Sequence, residues 1–138
     1  MARPGKARRG MARQGKVFMI EIDLMRSFQF EASRLVPHVR LFRRNIINTK
    51  TAGGWHAKAG IPGQCDLWAY VKGGHSIEIE TKARRGKLSP AQETWRDWCH
   101  EWGVPWMQLK EEKGDSSERT IRKWIDQLRC EAKDVIFR

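Results

Sequence analysis

The chain has 138 residues, 40% hydrophobic and 31% charged, enough for one domain with a single core and too short for two. Its formal net charge of +11 points to a polyanionic partner, nucleic acid being the commonest. No apolar run is long enough to span a bilayer, and the basic segments lack the apolar helical face that membrane-surface binding needs, so no membrane role is expected. Three cysteines, Cys65, Cys99 and Cys130, form neither a C-x-x-C pair nor an even framework, which suits a reducing intracellular, cytoplasmic setting rather than a disulfide scaffold or zinc cluster.

Residues 1–18 read as a basic, flexible arm ahead of one domain at 19–138. Arg3, Lys6, Arg8, Arg9, Arg13 and Lys16 precede the first acid, Glu21, and the stretch half-repeats as Met-Ala-Arg-Pro-Gly-Lys and Met-Ala-Arg-Gln-Gly-Lys. Such a glycine-rich cationic segment either lies along phosphates or is a simple leader. No apolar stretch follows it as secretion needs, Pro4 and the glycines oppose an amphipathic transit helix, and Met1 and Met11 are both candidate starts.

Residues 20–36 repeat apolar side chains at helical spacing, through Leu24, Phe28, Ala32 and Leu35, and Pro37 stops them. A strand is expected over 38–45, with Val39 and Leu41 on one face. Residues 46–64, rich in glycine, read as a long loop.

The next stretch gives a hairpin whose register can be argued. If Lys72-Gly73-Gly74 is a three-residue loop, Val71 meets His75, Ala69 meets Ile77 and Leu67 meets Ile79, apolar on apolar. The same register sets Asp66 opposite Glu80. A two-residue turn would set Leu67 against Glu80 and mix the faces. Glu78, Glu80 and Lys82 then share the face opposite Ile77 and Ile79, which reads either as a solvated strand face or as a charged site.

A helix follows, with Ser89 as N-cap, Pro90 at its first position and Gln92 in the capping-box position. Its stripe of Ala91, Trp95, Trp98, Cys99 and Trp102 reads first as core packing and second as a base-stacking surface. A strand is expected over 104–109. Asp115 and Glu118 are expected to cap a last helix with Ile121, Trp124, Ile125 and Leu128 on one face. The order predicts a mixed sheet with helices on its faces.

Two carboxylates brought face to face suit a hard divalent cation, and a lysine beside them suits a phosphate. These residues carry a resemblance. Asp66 followed across a hairpin by Glu80-Thr81-Lys82 resembles the PD-(D/E)xK nuclease signature. More narrowly, Gly60-Ile61-Pro62-Gly63-Gln64-Cys65-Asp66-Leu67, Glu80-Thr81-Lys82 and Arg85-Gly86-Lys87-Leu88-Ser89-Pro90-Ala91-Gln92 resemble the VRR-NUC family of single-domain phage and bacterial nucleases, over about residues 20 to 110.

The resemblance implies a restriction-endonuclease-like αβββαβ core and an intracellular DNA endonuclease using Mg²⁺ or Mn²⁺, with no organic cofactor. For a phage-encoded member the compartment is the host cytoplasm. It implies metal ligation by Asp66, Glu80 and the Thr81 carbonyl, with Lys82, Gln92 and an acid of the first helix completing the site. Glu21 matches that acid best, with Asp23 and Glu31 as alternatives, and Gln92 reads equally well as a cap alone. The family's proline before the aspartate is replaced by Cys65, which reads as a packing thiol.

Arg43, Arg44, Asn45, Lys58, Arg84, Arg85 and Lys87 are the expected phosphate contacts, with Lys50 and His56 beside them in the long loop. The four histidines show no ligand spacing. Relatives that resolve junctions imply selectivity for branched DNA and a homodimer, with the last helix as candidate surface. The alternative function is a non-catalytic nucleic-acid-binding module on the same fold.

Overall fold

A computed structural model describes residues 20–44 and 60–137, together with 12–13, 16–17, 48–50, 52–54 and 56–58. The elements are β1 (Ala12–Arg13), β2 (Lys16–Val17), α1 (Glu21–Leu35), β3 (Val39–Arg43), β4 (Asn48–Lys50), β5 (His56–Lys58), β6 (Leu67–Val71), β7 (His75–Lys82), α2 (Pro90–Glu101), β8 (Trp106–Lys110) and α3 (Ser117–Ile136). Four strands form one mixed sheet in the order β3-β6-β7-β8, antiparallel except for the β7–β8 pair. Counting α1, β3, β6, β7, α2 and β8, this is the expected αβββαβ order, with α3 added. The long loop expected over 46–64 instead contains a small antiparallel hairpin, β4–β5, apart from the main sheet. Most of the basic arm, and Asn45, lie outside the described residues, as do the side chains of Lys50, His56 and Lys58.

The hairpin takes the register that apolar matching required: Val71 with His75, Ala69 with Ile77, Leu67 with Ile79. Leu67, Ala69, Val71, Ile77 and Ile79 thereby face one side, where they join Leu109 of β8 under α1 and α3. Phe28 of α1 and Trp124 of α3 meet edge to face at 5.7 Å and an interplanar angle of 88° in this core. The core therefore lies wholly between two helices and one sheet face. The other face is left to β7's even-numbered residues and to α2.

Both later helices are capped by serine. Ser89 caps α2 with the full reciprocal box, its Oγ accepting from the Gln92 N–H while the Gln92 side chain accepts from the Ser89 N–H. For α3 the expected cap is corrected: Ser116, not Asp115, accepts the Arg119 N–H, and Asp115 turns to Lys123 at 2.6 Å. Among the described residues no helix is long and apolar enough to cross a membrane.

The α2 stripe is also corrected. Cys99 is fully buried, but Trp98 is 42% and Trp102 68% exposed. The sheet face beneath α2 carries Glu78 and Glu80, so hydrogen bonds from Trp95 and Gln92 seat the helix there, and its outer rings have no apolar floor.

Candidate active site

The site forms where the β6–β7 ladder stops. Its last pair is Leu67 with Ile79, so Asp66 leaves β6 as Glu80, Thr81 and Lys82 continue β7. Alternate residues of a strand turn their backbone groups to opposite neighbours. The Glu78 N–H and the Lys82 carbonyl bond toward the β8 side, so the Thr81 carbonyl points to the side that β6 has vacated. Two positions on, the Ala83 N–H points the same way and donates to Glu21 Oε2 at 3.1 Å. Glu21 opens α1 and so is delivered to the end of β7. Of the three candidate acids in the first helix, it is the one placed here; Glu31 instead pairs with Arg34 in its own helix.

Asp66 and Glu80 lie near enough to each other and to Glu21 for these charges to act on both. Burial raises the Glu80 carboxyl to about 7, the charges of Asp66 and Glu21 push the same way, and Lys82 and the Cys65 thiol oppose them. Burial also raises Asp66, followed by the charge of Glu21, with Lys82 and Arg43 opposing. Lys82 Nζ lies 3.6 Å from Glu80 Oε1. Negative charge is therefore in excess within a nearly closed corner, since Glu80 is only 1% exposed.

Gln92 fulfils both of its readings at once. Its Oε1 accepts from the Ser89 N–H at 2.9 Å while its Nε2 donates to Glu80 Oε1 at 2.9 Å. Cap and site are the same side chain, so the start of α2 aims the carboxylate of β7.

The turn before Asp66 sets this distance. Gly63 has φ +80° and packs on the first turn of α2; a Cβ there would stand 2.0 Å from the Ala91 carbonyl oxygen. Gly63→Ala is expected to cost about 1–3 kcal/mol for the left-handed backbone alone. It must also displace the Ala91–Gln92 backbone. A urea-denaturation midpoint unchanged by this substitution would contradict the packing described.

Cys65 is buried, and burial drives its thiol far above the usual range, with the charges of Glu80 and Glu78 adding to it. It stays a protonated packing group, as read from the sequence. The basic residues divide. Arg43 is exposed beside Asp66, and Arg84, Arg85 and Lys87 are exposed on the turn after β7. Arg44 differs: its guanidinium forks onto both oxygens of Glu78 at 2.9 and 2.8 Å, donates to the Cys65 carbonyl at 3.0 Å and lies 4.8 Å from the Trp68 ring centre. We place it as a structural ion pair rather than a surface phosphate contact.

This Arg44–Glu78–Trp95 network, completed by the Trp95 indole N–H on Glu78 Oε1 at 3.1 Å, was not legible in the sequence. The equal parity of Glu78 and Glu80 hinted only that both face α2. Among the described residues, no group of three or more His, Cys, Asp and Glu side chains is gathered closely enough to hold a metal ion. The oxygen donors available are two carboxylates, Asp66 and Glu80, and the Thr81 carbonyl. No protein-family model and no curated protein matches the chain.

Proposed function

We propose that the protein is a metal-dependent DNA endonuclease that hydrolyses phosphodiester bonds at the Asp66–Glu80–Lys82 corner. The observation that carries this is the convergence of Glu21, Asp66, Glu80 and the Thr81 carbonyl at the end of the β6–β7 ladder, with Lys82 beside them on a strongly basic chain. Such a sheet end fits the PD-(D/E)xK pattern that the sequence resembles.

The donor set fits Mg²⁺ or Mn²⁺. Mg²⁺ takes one or two carboxylates and keeps several waters, so two carboxylates and a carbonyl suffice. Burial, reinforced by the neighbouring carboxylate charges, raises Glu80 and Asp66, and a divalent cation would offset that cost of holding them ionised. When bound, the ion would supply charge neutralisation at a phosphate oxygen and a source of activated water.

The chain's own groups have separate tasks. Lys82 places an ammonium where charge on the phosphate develops. Gln92 fixes one oxygen of Glu80 and so aims the carboxylate. Glu21 holds the Ala83 N–H and so anchors the end of β7. Arg43, Arg84, Arg85 and Lys87 offer phosphate contacts that position a duplex without reading its sequence, and affinity should fall steeply with salt. Preference for branched DNA and action as a dimer belong to the same proposal through the resemblance.

A non-catalytic nucleic-acid-binding module is the second reading, favoured by the basic charge alone. A thermal-shift titration separates the two. The nuclease reading predicts that Mn²⁺ raises the melting temperature of the wild type and not of Asp66→Asn, because a ligand of the folded state stabilises it. Equal shifts in both proteins, or none, would favour the binding module.

A further inference from the structure

The carboxylate corner uses only part of the α2 face. Phe42 of β3 stacks on Trp68 of β6 at 5.2 Å and 22°, and Tyr70 meets Phe42 at 5.4 Å and 62°. On α2, Trp95 stacks on Trp98 at 4.9 Å and 22°, and Trp98 on Trp102 at 6.0 Å and 28°. The two groups are joined by the Arg44–Glu78 pair, which touches Trp68 through its guanidinium and Trp95 through its carboxylate. One run of contacts thus passes from Tyr70 to Trp102. It crosses β7 at Glu78, two residues before Glu80, and α2 at Trp95, one turn after Gln92.

These rings are open to solvent. Trp102 is 68%, Tyr70 56%, Trp98 42% and Phe42 39% exposed. Aromatic rings are among the side chains that gain most from burial, and a connected series left exposed marks a binding surface. Three features identify the occupant. Phe42 with Trp68, and Trp95 with Trp98 and Trp102, lie in near-parallel stacks that a flat, unsaturated ligand can extend. Arg40 stands opposite Tyr70 in the β3–β6 register, and Lys72 follows β6 directly, so cations border the rings. The chain carries +11, which attracts a polyanion.

The geometry points to a track for unpaired DNA, with bases stacked on the rings of Tyr70, Phe42, Trp98 and Trp102 and phosphates drawn to Arg40 and Lys72. The choice of DNA rests on the nuclease proposal and deepens it: the substrate carries a single-stranded segment beside the scissile duplex. Stacking on aromatic rings is tolerant of sequence, so the track selects structure and not bases.

The test is fluorescence-anisotropy binding in EDTA, where no cutting occurs, using labelled oligo-dT, oligo-rU and a blunt duplex of equal length. Wild type, Trp102→Ala and Tyr70→Ala are compared, with melting temperatures and sedimentation as controls. Each ring removed is expected to weaken oligo-dT binding roughly tenfold while duplex binding changes less than about twofold. Equal losses on strand and duplex, no loss, tighter binding of oligo-rU, or a wild-type dimer split by Trp102→Ala would each overturn the track. Because binding is read without metal, ring-dependent binding by a protein that never cuts DNA would refute only the nuclease reading. Cutting without ring-dependent binding would refute only the track.

Discussion

Glu80→Gln is expected to lower metal-dependent DNA cleavage at least about a hundredfold while making the metal-free protein more stable at neutral pH. Both effects follow from one carboxylate. Glu80 is almost wholly buried beside Asp66 and Glu21, and its carboxyl is raised to about 7. A folded-state value above the ordinary one means that the folded protein holds the proton more tightly than the unfolded chain. The contribution of Glu80 to stability in EDTA is then greatest at acid pH, falls as pH rises from the ordinary value near 4.5 to about 7, and is level above that. The difference spans roughly 3 kcal/mol at most by linkage.

A neutral amide keeps the shape and can still accept the Gln92 hydrogen bond, but it carries no charge to repel Asp66. The variant should therefore match wild type near pH 4.5, exceed it at pH 8, and lose this pH slope. Urea denaturation at a series of pH values in EDTA checks it. A variant less stable than wild type at pH 8 would mean that Glu80 is not held at electrostatic cost and that the corner has no excess charge for a cation to neutralise.

Glu78→Ala is expected to destabilise the fold by about 3 kcal/mol or more, with a melting temperature lower by roughly 10 °C. Glu78 and Arg44 sit one residue pair from the site yet do different work. Their side chains are 9% and 20% exposed, and the carboxylate accepts three hydrogen bonds, two from Arg44 and one from Trp95. Truncation leaves a guanidinium short of its counter-charge and an indole N–H without its partner. The double replacement Arg44→Met with Glu78→Leu should cost much less than the sum of the two single changes, because no charge is left unpaired. A change of less than about 0.5 kcal/mol for Glu78→Ala would show that the pair is solvated rather than structural.

What was legible in the sequence was whatever local pattern determines. The hairpin register came from matching apolar residues around Lys72-Gly73-Gly74. Asp66, expected opposite Glu80, instead lies just past the last ladder pair, near enough for its charge to act on Glu80. Helix positions came from periodicity and from the Ser89 cap. Long-range polar contacts escaped it. Arg44 looked like one more cation in a basic stretch, because nothing in its neighbours reveals a partner 34 residues away. Likewise, helical spacing placed Trp98 and Trp102 on the inner stripe with Cys99. Spacing sets direction but not what lies beneath, and beneath α2 lie carboxylates. The hairpin at 48–58 was hidden by glycine-rich composition that reads as loop.

The central claim is that the hairpin's acids and lysine form a hydrolytic site. It is tested most directly by incubating purified wild type and Asp66→Asn with linear, branched and single-stranded DNA in Mg²⁺, Mn²⁺ and EDTA. Wild type is expected to cut only with the metal and most on DNA joining duplex to unpaired strand, and Asp66→Asn not at all. Identical behaviour of the two proteins on every substrate would contradict it.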